Sequence, residues 1–161
     1  MPTGWRFCPE DHELIRDYLY NKVIQQQLPF EGLIAECDLY GNENPWEIWE
    51  CFSEYVVKSV HYEDLYVFTK LKRKNAGAKN VERKVGLGSW EGEAIAKEII
   101  INNSNNMNQS VVIGFMKRFR FEKSGTHQDG KWIMHEYSLH PSLFPSNYLH
   151  VSLFSFKVSF S

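Results

Sequence analysis

The chain has 161 residues, 43% hydrophobic and 15% aromatic, so it can build one domain with a sizeable core, and its length argues against two. Its net charge of −2 conceals a basic segment, residues 70–84, in which seven cations face the single acid Glu82. Such a segment is typical of a localised polyanion site. The three cysteines lack a C-x-x-C pair, and residues 1–13 lack a signal-peptide core. No run approaches the ~18 apolar residues of a membrane span, so secreted disulfide-rich and membrane proteins are both disfavoured.

Two helices are predicted in the first part of the chain. Residues 10–24 carry apolar side chains at helical spacing, which predicts an amphipathic helix, and Asp11 is its expected N-cap. Residues 44–55 predict a second helix. Its first turn has a capping residue, a proline suited to the first helical position and an acid that completes a capping box: Asn44, Pro45 and Glu47.

Strand patterns follow. Residues 64–72, 110–121 and 131–139 are rich in aromatic and β-branched residues or alternate in polarity, and each range predicts a strand. One face of the second strand carries Arg118 and Arg120. The opposite face is expected to carry five apolar residues: Val111, Ile113, Phe115, Phe119 and Phe121.

The remaining stretches are loops and an unusual tail. Residues 75–88 predict a mobile basic loop, and residues 102–109 predict a polar loop. In residues 141–161, apolar and polar side chains alternate from position 154 to 160, which is a strand pattern. Two interpretations stay open: the tail packs as an extra strand, or it is an exposed apolar segment prone to aggregation.

The opening run is the most informative motif. Residues 4–14 read GWRFCPEDHEL, which resembles the GFRFxPTDEEL signature of the NAC family of plant transcription factors. Further blocks follow in the family's order over residues 2–140: residues 45–47 resemble PWE/D, 64–68 resemble EWYFF, 88–90 resemble GYW, 112–117 resemble VGIKK and 132–137 match WxMHEY. The chain is identified by this resemblance as a truncated or atypical member of the NAC family.

The resemblance implies an α+β fold, in which a few helices flank a twisted antiparallel β-sheet. It implies that residues 1–140 form a DNA-binding and dimerisation domain, followed by residues 141–161 as a short apolar tail with no evident activation region. A truncated repressor, a heterodimer partner or a fragmentary product is therefore expected. The resemblance also implies a nuclear protein that forms a homodimer, or a heterodimer with another NAC protein. The residues of the family's salt bridge across the dimer are matched by Arg6 and Glu13.

The family's DNA-reading strand is where this sequence departs from the pattern. The family reads WKATGxDK, whereas residues 90–97 read WEGEAIAK, so that Glu91 and Glu93 replace a lysine and a threonine. In a strand, these two acids and Lys97 are expected to share one face, and carboxylates that approach phosphates weaken binding. Two outcomes stay open. A glutamate accepts a hydrogen bond from a cytosine amino group and base preference changes, or the strand no longer docks and the chain acts through dimerisation.

The predicted DNA-binding set combines the reading strand with the cations around it. Arg83 matches the arginine of the family's PNR segment, and Trp90 is the tryptophan nearest to the reading element, although the core is the expected place of all five tryptophans. The whole set is Lys79, Arg83, Lys84, Trp90, Glu91, Glu93, Lys97, Lys117, Arg118 and Arg120. The predicted function is a sequence-specific transcription regulator that binds double-stranded DNA as a dimer and reads the major groove with an edge strand. The alternative is a NAC-like dimerisation module that sequesters partner transcription factors without binding DNA.

No enzyme or cofactor is expected. The sequence has no GxSxG, HExxH or P-loop motif, and the adjacent His135 and Glu136 point to opposite faces of a strand. Cys8 and His12 have C-x3-H spacing and His140 follows His135 by five positions, but a structural zinc site needs four ligands, usually as two close pairs. We therefore expect no catalytic residue, no metal, no small-molecule substrate and no membrane partner.

Overall fold

The frame of the molecule is a β-sheet. The computed structural model describes residues 3–58, 63–71, 83–102, 109–145 and 151–158. The strands are β1 (Ala35–Glu36), β2 (Val57–Lys58), β3 (Glu63–Lys70), β4 (Lys84–Val85), β5 (Gly88–Gly92), β6 (Lys97–Asn102), β7 (Ser110–Glu122), β8 (Trp132–Leu139) and β9 (Val151–Val158). The three strands predicted from the sequence correspond to β3, β7 and β8.

The sheet runs in the order β1-β3-β9-β8-β7-β5-β4, while β2 also pairs with β3 and β6 also pairs with β7. In the described part of the chain, every pairing is antiparallel except that of β1 with β3. The predicted α+β fold, a largely antiparallel sheet with few helices, is therefore confirmed.

Strand β9 comes last among the strands but lies in the middle of the sheet. Its Phe156 pairs with Leu65 of β3 on one side and with Met134 of β8 on the other. Phe154 and Phe156 are fully buried. Of the two interpretations of the tail, the packed strand is therefore the one that the structure adopts, and this strand belongs to the same sheet as the residues before position 140.

The N-terminal helix, residues 11–23, packs on one face of the sheet. It comprises an α-helical turn, a π-helical stretch and a second α-helical turn: Asp11–Glu13, Leu14–Leu19 and Tyr20–Val23. Its N-cap is Glu10 and not Asp11 as predicted, because the Glu13 carboxylate accepts the Glu10 backbone N–H at 3.2 Å. Asp11 instead accepts a hydrogen bond of 2.8 Å from the Tyr137 hydroxyl, which ties the first turn to β8.

The short helix is Pro45–Cys51, followed by a 3-10 turn at Ser53–Tyr55. Its predicted cap is confirmed, since the Glu47 carboxylate accepts the Asn44 backbone N–H at 3.2 Å. Asn44 Oδ1 also accepts the backbone N–H of Leu87 at 2.8 Å, so the cap joins this helix to the turn between β4 and β5. Among the described residues, no helix combines the length and the apolar character that a membrane span requires.

The hairpin of β4 and β5 replaces the last part of the predicted loop at residues 75–88. Gly86 occupies its turn with a φ of +51°, where a side chain would be strained and would collide with Asn44. The earlier part of that loop, residues 75–82, lies outside the described residues, as do residues 103–108 of the second predicted loop.

Two apolar clusters pack on opposite faces of the sheet. On β3, Tyr66 and Phe68 join the cluster under the N-terminal helix, whereas Leu65 and Val67 join the cluster under the short helix. This division follows the two-residue alternation of a strand. The middle of the sheet is thus buried on both faces, and exposed side chains that could bind a partner lie mainly at its edges and ends.

The prediction that five apolar residues of β7 share one face is wrong. Phe119 and Phe121 pack in the cluster under the short helix, but Ile113 packs with the N-terminal helix, and Val111 is exposed. The cause is an irregularity in the pairing with β6, which skips Ile113. An extra residue in one strand shifts the alternation of the side chains that follow it.

Candidate nucleic-acid interface

The sheet edge formed by β5 and β6 carries the residues of the predicted reading strand. Both strands pair with β7, β5 along residues 119–122 and β6 along residues 110–116. Between them, residues 93–96 leave the ladder and form an exposed connection, called here the 93–96 loop. The prediction of one strand over residues 90–97 is therefore wrong, because this segment consists of two strand ends and a loop.

The break in the strand has a local cause. Gly92 and Glu93 both have low strand propensity, and two alanines follow within the loop. The Glu93 backbone N–H still donates to the Arg118 carbonyl at 3.1 Å, and regular pairing with β7 resumes only at Lys97. Glu91, Glu93 and Lys97 consequently do not share the face of one regular strand.

The Glu93 side chain turns back onto the sheet. Its Oε2 lies 2.6 Å from Arg118 Nε and its Oε1 lies 3.8 Å from Arg120 Nε, which leaves 29% of the side chain exposed. Arg120 Nη2 also donates to Glu122 Oε1 at 2.7 Å, and this hydrogen bond raises the pKa of Arg120. Two carboxylates thus neutralise two guanidinium groups in what we call the exposed Arg–Glu cluster, residues 93, 118, 120 and 122.

Glu91 differs from Glu93 in its partner. Its carboxylate accepts a hydrogen bond of 2.8 Å from the Ser89 hydroxyl, and its Cα lies opposite that of Arg120 in the ladder. No guanidinium contacts the Glu91 carboxylate among the described residues. Glu91 and Glu93 both stand where the family has a different residue. Of these two acids, Glu91 is the one that has no ionic partner in the described part of the chain, so its negative charge faces solvent.

Three lysines of the predicted set lie on the strands around the 93–96 loop. Lys97 is 66% exposed, and its Nζ lies 3.7 Å from Asp11 Oδ2. Lys117 Nζ lies 5.4 Å from the centre of the Phe119 ring, within the range of a cation–π contact. Lys84 is exposed on β4. Within the described part of the chain, these ammonium groups have only long or partial contacts, so their charge remains available to an anion.

Arg83 is embedded in the structure. Its guanidinium pairs with the buried Glu136 and donates to the Tyr40 hydroxyl, and it lies 4.5 Å from the centre of the Phe119 ring. Burial is the largest single influence on Arg83 and lowers its pKa, but the hydrogen bonds and charges of Glu136 and Tyr40 together exceed this effect, so the pKa of Arg83 is raised. We call residues 40, 83 and 136 the buried network. The Arg83 guanidinium therefore has partners inside the fold, although the residue was predicted to bind DNA. Lys79, the other cation predicted beside it, lies outside the described residues.

Trp90 is a core residue. It is 1% exposed, and its indole Nε1 donates to the Leu39 carbonyl at 3.2 Å. Its place on β5 is near the 93–96 loop, but its ring lies inside the cluster under the short helix. The predicted set included Trp90 as a DNA-binding residue, but a buried ring cannot contact a base directly. Its position agrees instead with the expectation that the tryptophans lie in the core.

The two predicted dimer residues line one cleft beside the N-terminal helix. Arg6 and Glu13 lie there together with Trp5 and Phe7. Arg6 is exposed and has no ion-pair partner within the described part of the chain. Trp5 and Phe30 are also exposed, with ring centroids 5.8 Å apart. Exposed aromatic residues beside an arginine are typical of protein–protein interfaces.

Three possible metal ligands meet at the start of the N-terminal helix. The ligand atoms of Glu10, His12 and Glu13 lie within 4.8 Å of one another. All three side chains are accessible to solvent, and the Glu13 carboxylate already accepts the Glu10 backbone N–H. The grouping is accounted for by helix capping and does not involve Cys8, which the sequence analysis considered beside His12.

Two further residues belong to this surface but not to the predicted set. Glu122 binds Arg120, and the alternation along β7 could have placed it on the face of the arginines. Ile95 is 95% exposed at the 93–96 loop. The sequence could have indicated this residue, because Ile95 is an aliphatic side chain within a segment that was expected to face a polar ligand.

Comparison with known proteins shows a match to the family described as No apical meristem (NAM) protein over residues 2–139. NAC transcription factor 47 of Arabidopsis thaliana is 32% identical over 148 residues, which cover 90% of this chain and 38% of the relative. NAC domain-containing protein 68 of Oryza sativa subsp. japonica is 33% identical, covering 86% and 40%. NAC transcription factor NAM-1 of Hordeum vulgare subsp. vulgare is 32% identical, covering 86% and 32%.

The chain spans at most 40% of the length of these three relatives, and in each the match includes most of the present sequence. The family match reaches from the opening motif to the end of β8, over the buried core and over the edge that carries the 93–96 loop. The chain therefore belongs to the No apical meristem family, which is the NAC family that its opening motif resembles.

Proposed function

We propose that this protein is a nuclear, DNA-binding transcription regulator that acts as a dimer. The observation that carries the proposal is the exposed 93–96 loop, which stands at the position of the family's reading strand and is flanked by Lys97 and Lys117. Relatives that cover the same region are named transcription factors. In this proposal the loop enters the major groove, and the lysines around it contact phosphates.

Phosphate contacts come from lysines more than from arginines. Among the described residues, Lys84, Lys97 and Lys117 form no short ion pair, and DNA has to compete there only with weak internal contacts for them. Arg118 and Arg120 are already paired with carboxylates, so a phosphate must displace Glu93 or Glu122 before it can bind the whole guanidinium edge. We therefore expect a lower salt dependence than the number of cations in the sequence indicates.

Dimerisation is proposed to occur through the cleft that contains Arg6 and Glu13. Two copies related by a twofold axis can pair the Arg6 of one copy with the Glu13 of the other, and the exposed Trp5 and Phe30 supply apolar area beside that pair. Replacement of Arg6 by Ala is expected to shift the protein towards the monomer in light scattering at a fixed concentration. An unchanged dimer would contradict this role of Arg6.

The acids along the same edge favour a second candidate function. Glu91 has no guanidinium partner in the described part of the chain, and Glu93 neutralises Arg118, so the surface offers less positive charge to DNA than a lysine and a threonine would. The second candidate is accordingly a dimerisation module that sequesters partner transcription factors without binding DNA.

A fluorescence anisotropy titration across a salt series separates the two candidates. The wild-type protein is compared with Glu91→Lys/Glu93→Thr on duplexes that are selected from a random library and on scrambled duplexes. A matched control, Glu50→Lys/Glu43→Thr, makes the same change in charge at exposed positions on and just before the short helix. We expect salt-sensitive, sequence-selective binding by the wild type, and a steeper salt dependence for the first variant by about 0.9 for each additional phosphate that it neutralises.

Binding that occurs only in the Glu91→Lys/Glu93→Thr variant would contradict the proposed DNA binding of the wild-type chain and would favour the sequestering module. An equal increase in the control variant would assign the effect to net charge alone, in which case the sheet edge has no special role.

A further inference from the structure

Ile95 is the most exposed large apolar residue in the described part of the chain. It is 95% exposed, whereas the next, Leu87, is 67% exposed. Most isoleucines in the described part of the chain are buried, at positions 15, 34, 48, 99, 113 and 133, and Ile100 is only 47% exposed. Full exposure of an isoleucine forgoes the stabilisation that burial would bring, so Ile95 does not contribute to the core that the described residues form.

The ends of the loop are held in place while its tip is left free. On one side, the Glu93 backbone bonds to the Arg118 carbonyl at 3.1 Å and the Glu93 carboxylate lies 2.6 Å from Arg118 Nε. On the other side, Lys97 resumes pairing opposite Met116. The residues on either side of Ile95 are Ala94 and Ala96, so that no other bulky side chain competes for the tip.

This anchoring changes the role of the glutamate. One predicted outcome was that a glutamate of this segment accepts a hydrogen bond from a cytosine amino group. In the structure, the Glu93 carboxylate is turned towards β7, where it pairs with Arg118 and lies near Arg120. Glu93 therefore acts as a positioning residue for the loop, and the loop's large apolar side chain, Ile95, is almost completely exposed.

The surroundings of Ile95 decide what kind of partner fits it. A stable protein–protein interface buries about 1,600 Å² in total, far more than one isoleucine and two alanines can contribute, and charged groups flank the loop on both sides. The major groove of DNA is about 12 Å wide and admits a narrow protruding element. Among the groups displayed along its floor, the apolar one is the methyl group on C5 of a pyrimidine.

We propose that Ile95 recognises the 5-methyl group of a pyrimidine in the major groove. This assignment rests on the proposed DNA-binding function and adds the feature that the protein reads. Thymine and 5-methylcytosine carry the same methyl group at the same position, so both satisfy the contact. An adenine–thymine pair read in this way is distinguished from a guanine–cytosine pair without any hydrogen bond from the loop.

Uracil substitution tests the proposal because it removes the methyl group and leaves the base-pairing groups unchanged. A duplex selected by the wild-type protein from a random library is synthesised with each thymine replaced in turn by uracil. A second series replaces each cytosine by 5-methylcytosine. Anisotropy titrations compare the wild type, Ile95→Ala and the matched control Ile100→Ala, which shortens an exposed isoleucine on β6 of the same edge.

We expect one uracil position to weaken binding of the wild type and of Ile100→Ala by about fourfold, the factor that corresponds to burial of a single methyl group. Ile95→Ala is expected to bind the unmodified duplex more weakly and to lose the uracil effect at that position. Tighter binding confined to one 5-methylcytosine position, and absent in Ile95→Ala, would identify methylated cytosine as the source of the contact and would also support the proposal.

A uracil or 5-methylcytosine effect of equal size in the wild type and in Ile95→Ala would overturn the assignment, as would the absence of any such effect in the wild type. Salt-sensitive, sequence-selective binding in those experiments would leave the DNA-binding function in place. If the wild type binds no duplex from the library, the proposed function fails and the assignment of Ile95 fails with it.

Discussion

The buried network and the exposed Arg–Glu cluster contain the same kinds of charged group in opposite surroundings. In the buried network, Arg83 lies against aromatic rings and pairs with Glu136, of which 11% of the side chain is exposed. In the exposed cluster, Arg118 and Arg120 pair with Glu93 and with Glu122 on the solvent side of the sheet. In the sequence, all three arginines look like equivalent cations. The structure distinguishes Arg83, because its burial makes it a structural residue of the fold.

The difference has an energetic consequence. An exposed ion pair contributes about 0–1 kcal/mol, because water screens the attraction and two long side chains lose freedom. Removal of one partner from a buried pair costs about 3–5 kcal/mol, because the remaining charge is left without compensation. The same substitution of glutamate should therefore have a large effect on stability in one group and a small effect in the other.

The largest effect is expected for Glu136→Ala. This change leaves the Arg83 guanidinium partly buried without its carboxylate and removes a hydrogen-bond acceptor of Tyr40, so we expect the free energy of unfolding to fall by about 3 kcal/mol. Urea unfolding monitored by tryptophan fluorescence measures the change.

A double variant sharpens this prediction. Arg83→Met/Glu136→Leu removes both charges and retains apolar volume, so it should be more stable than Glu136→Ala, since no unpaired charge remains. If Glu136→Ala lowers stability by no more than a surface pair would, the buried network is not the structural element described above.

A second prediction concerns a buried acid that lacks a guanidinium partner. Asp64 Oδ1 accepts no hydrogen bond among the described residues, and Lys157 Nζ lies 3.8 Å away. Burial raises the pKa of Asp64 above 3.8, and the charge of Lys157 offsets this only in part. The folded state therefore holds the proton more tightly than the unfolded state does, so its contribution to stability is present at low pH and is lost as the pH rises through the folded-state pKa.

Asp64→Asn should accordingly stabilise the protein at neutral pH relative to the wild type, and the difference should shrink in acid. Urea unfolding at about pH 3.5 and about pH 7 tests the sign, because the linkage relation ties this trend to the shifted pKa. A variant whose advantage grows on acidification would show that the Asp64 carboxylate is stabilised, not penalised, by its surroundings.

The smallest effect on stability is expected for Glu93→Gln. This substitution removes the negative charge of Glu93 from the exposed Arg–Glu cluster, and we expect the free energy of unfolding to change by less than about 1 kcal/mol. The comparison between the two groups would fail if this variant were as unstable as Glu136→Ala in the same urea titration.

Local signals in the sequence predicted much of the fold. The Asn44, Pro45 and Glu47 cap, the bounds of β3 and β8 and the strand character of the tail all follow from residues within a few positions of one another. The family motifs added the identity of the domain, because several blocks occur in one order along residues 2–139.

Non-local contacts account for most of what the sequence analysis missed. The pairing of Arg83 with Glu136 joins residues 53 positions apart, and no local pattern marks it. The skipped residue Ile113 moved side chains of β7 between faces. The interruption after Gly92 was an error of another kind, because alternation was extended through residues with weak strand propensity.

The central place of β9 also determines when the sheet can form during synthesis. Strand β3 and strand β8 do not pair with each other, and each is completed only by residues 151–158, which are translated after both. Pairing of Leu65 with Phe156 closes a long stretch of chain, a step that is slow because of its loop-closure entropy. Until then, two apolar strands have open edges, and the nascent chain is at its most vulnerable to association with other unfinished chains.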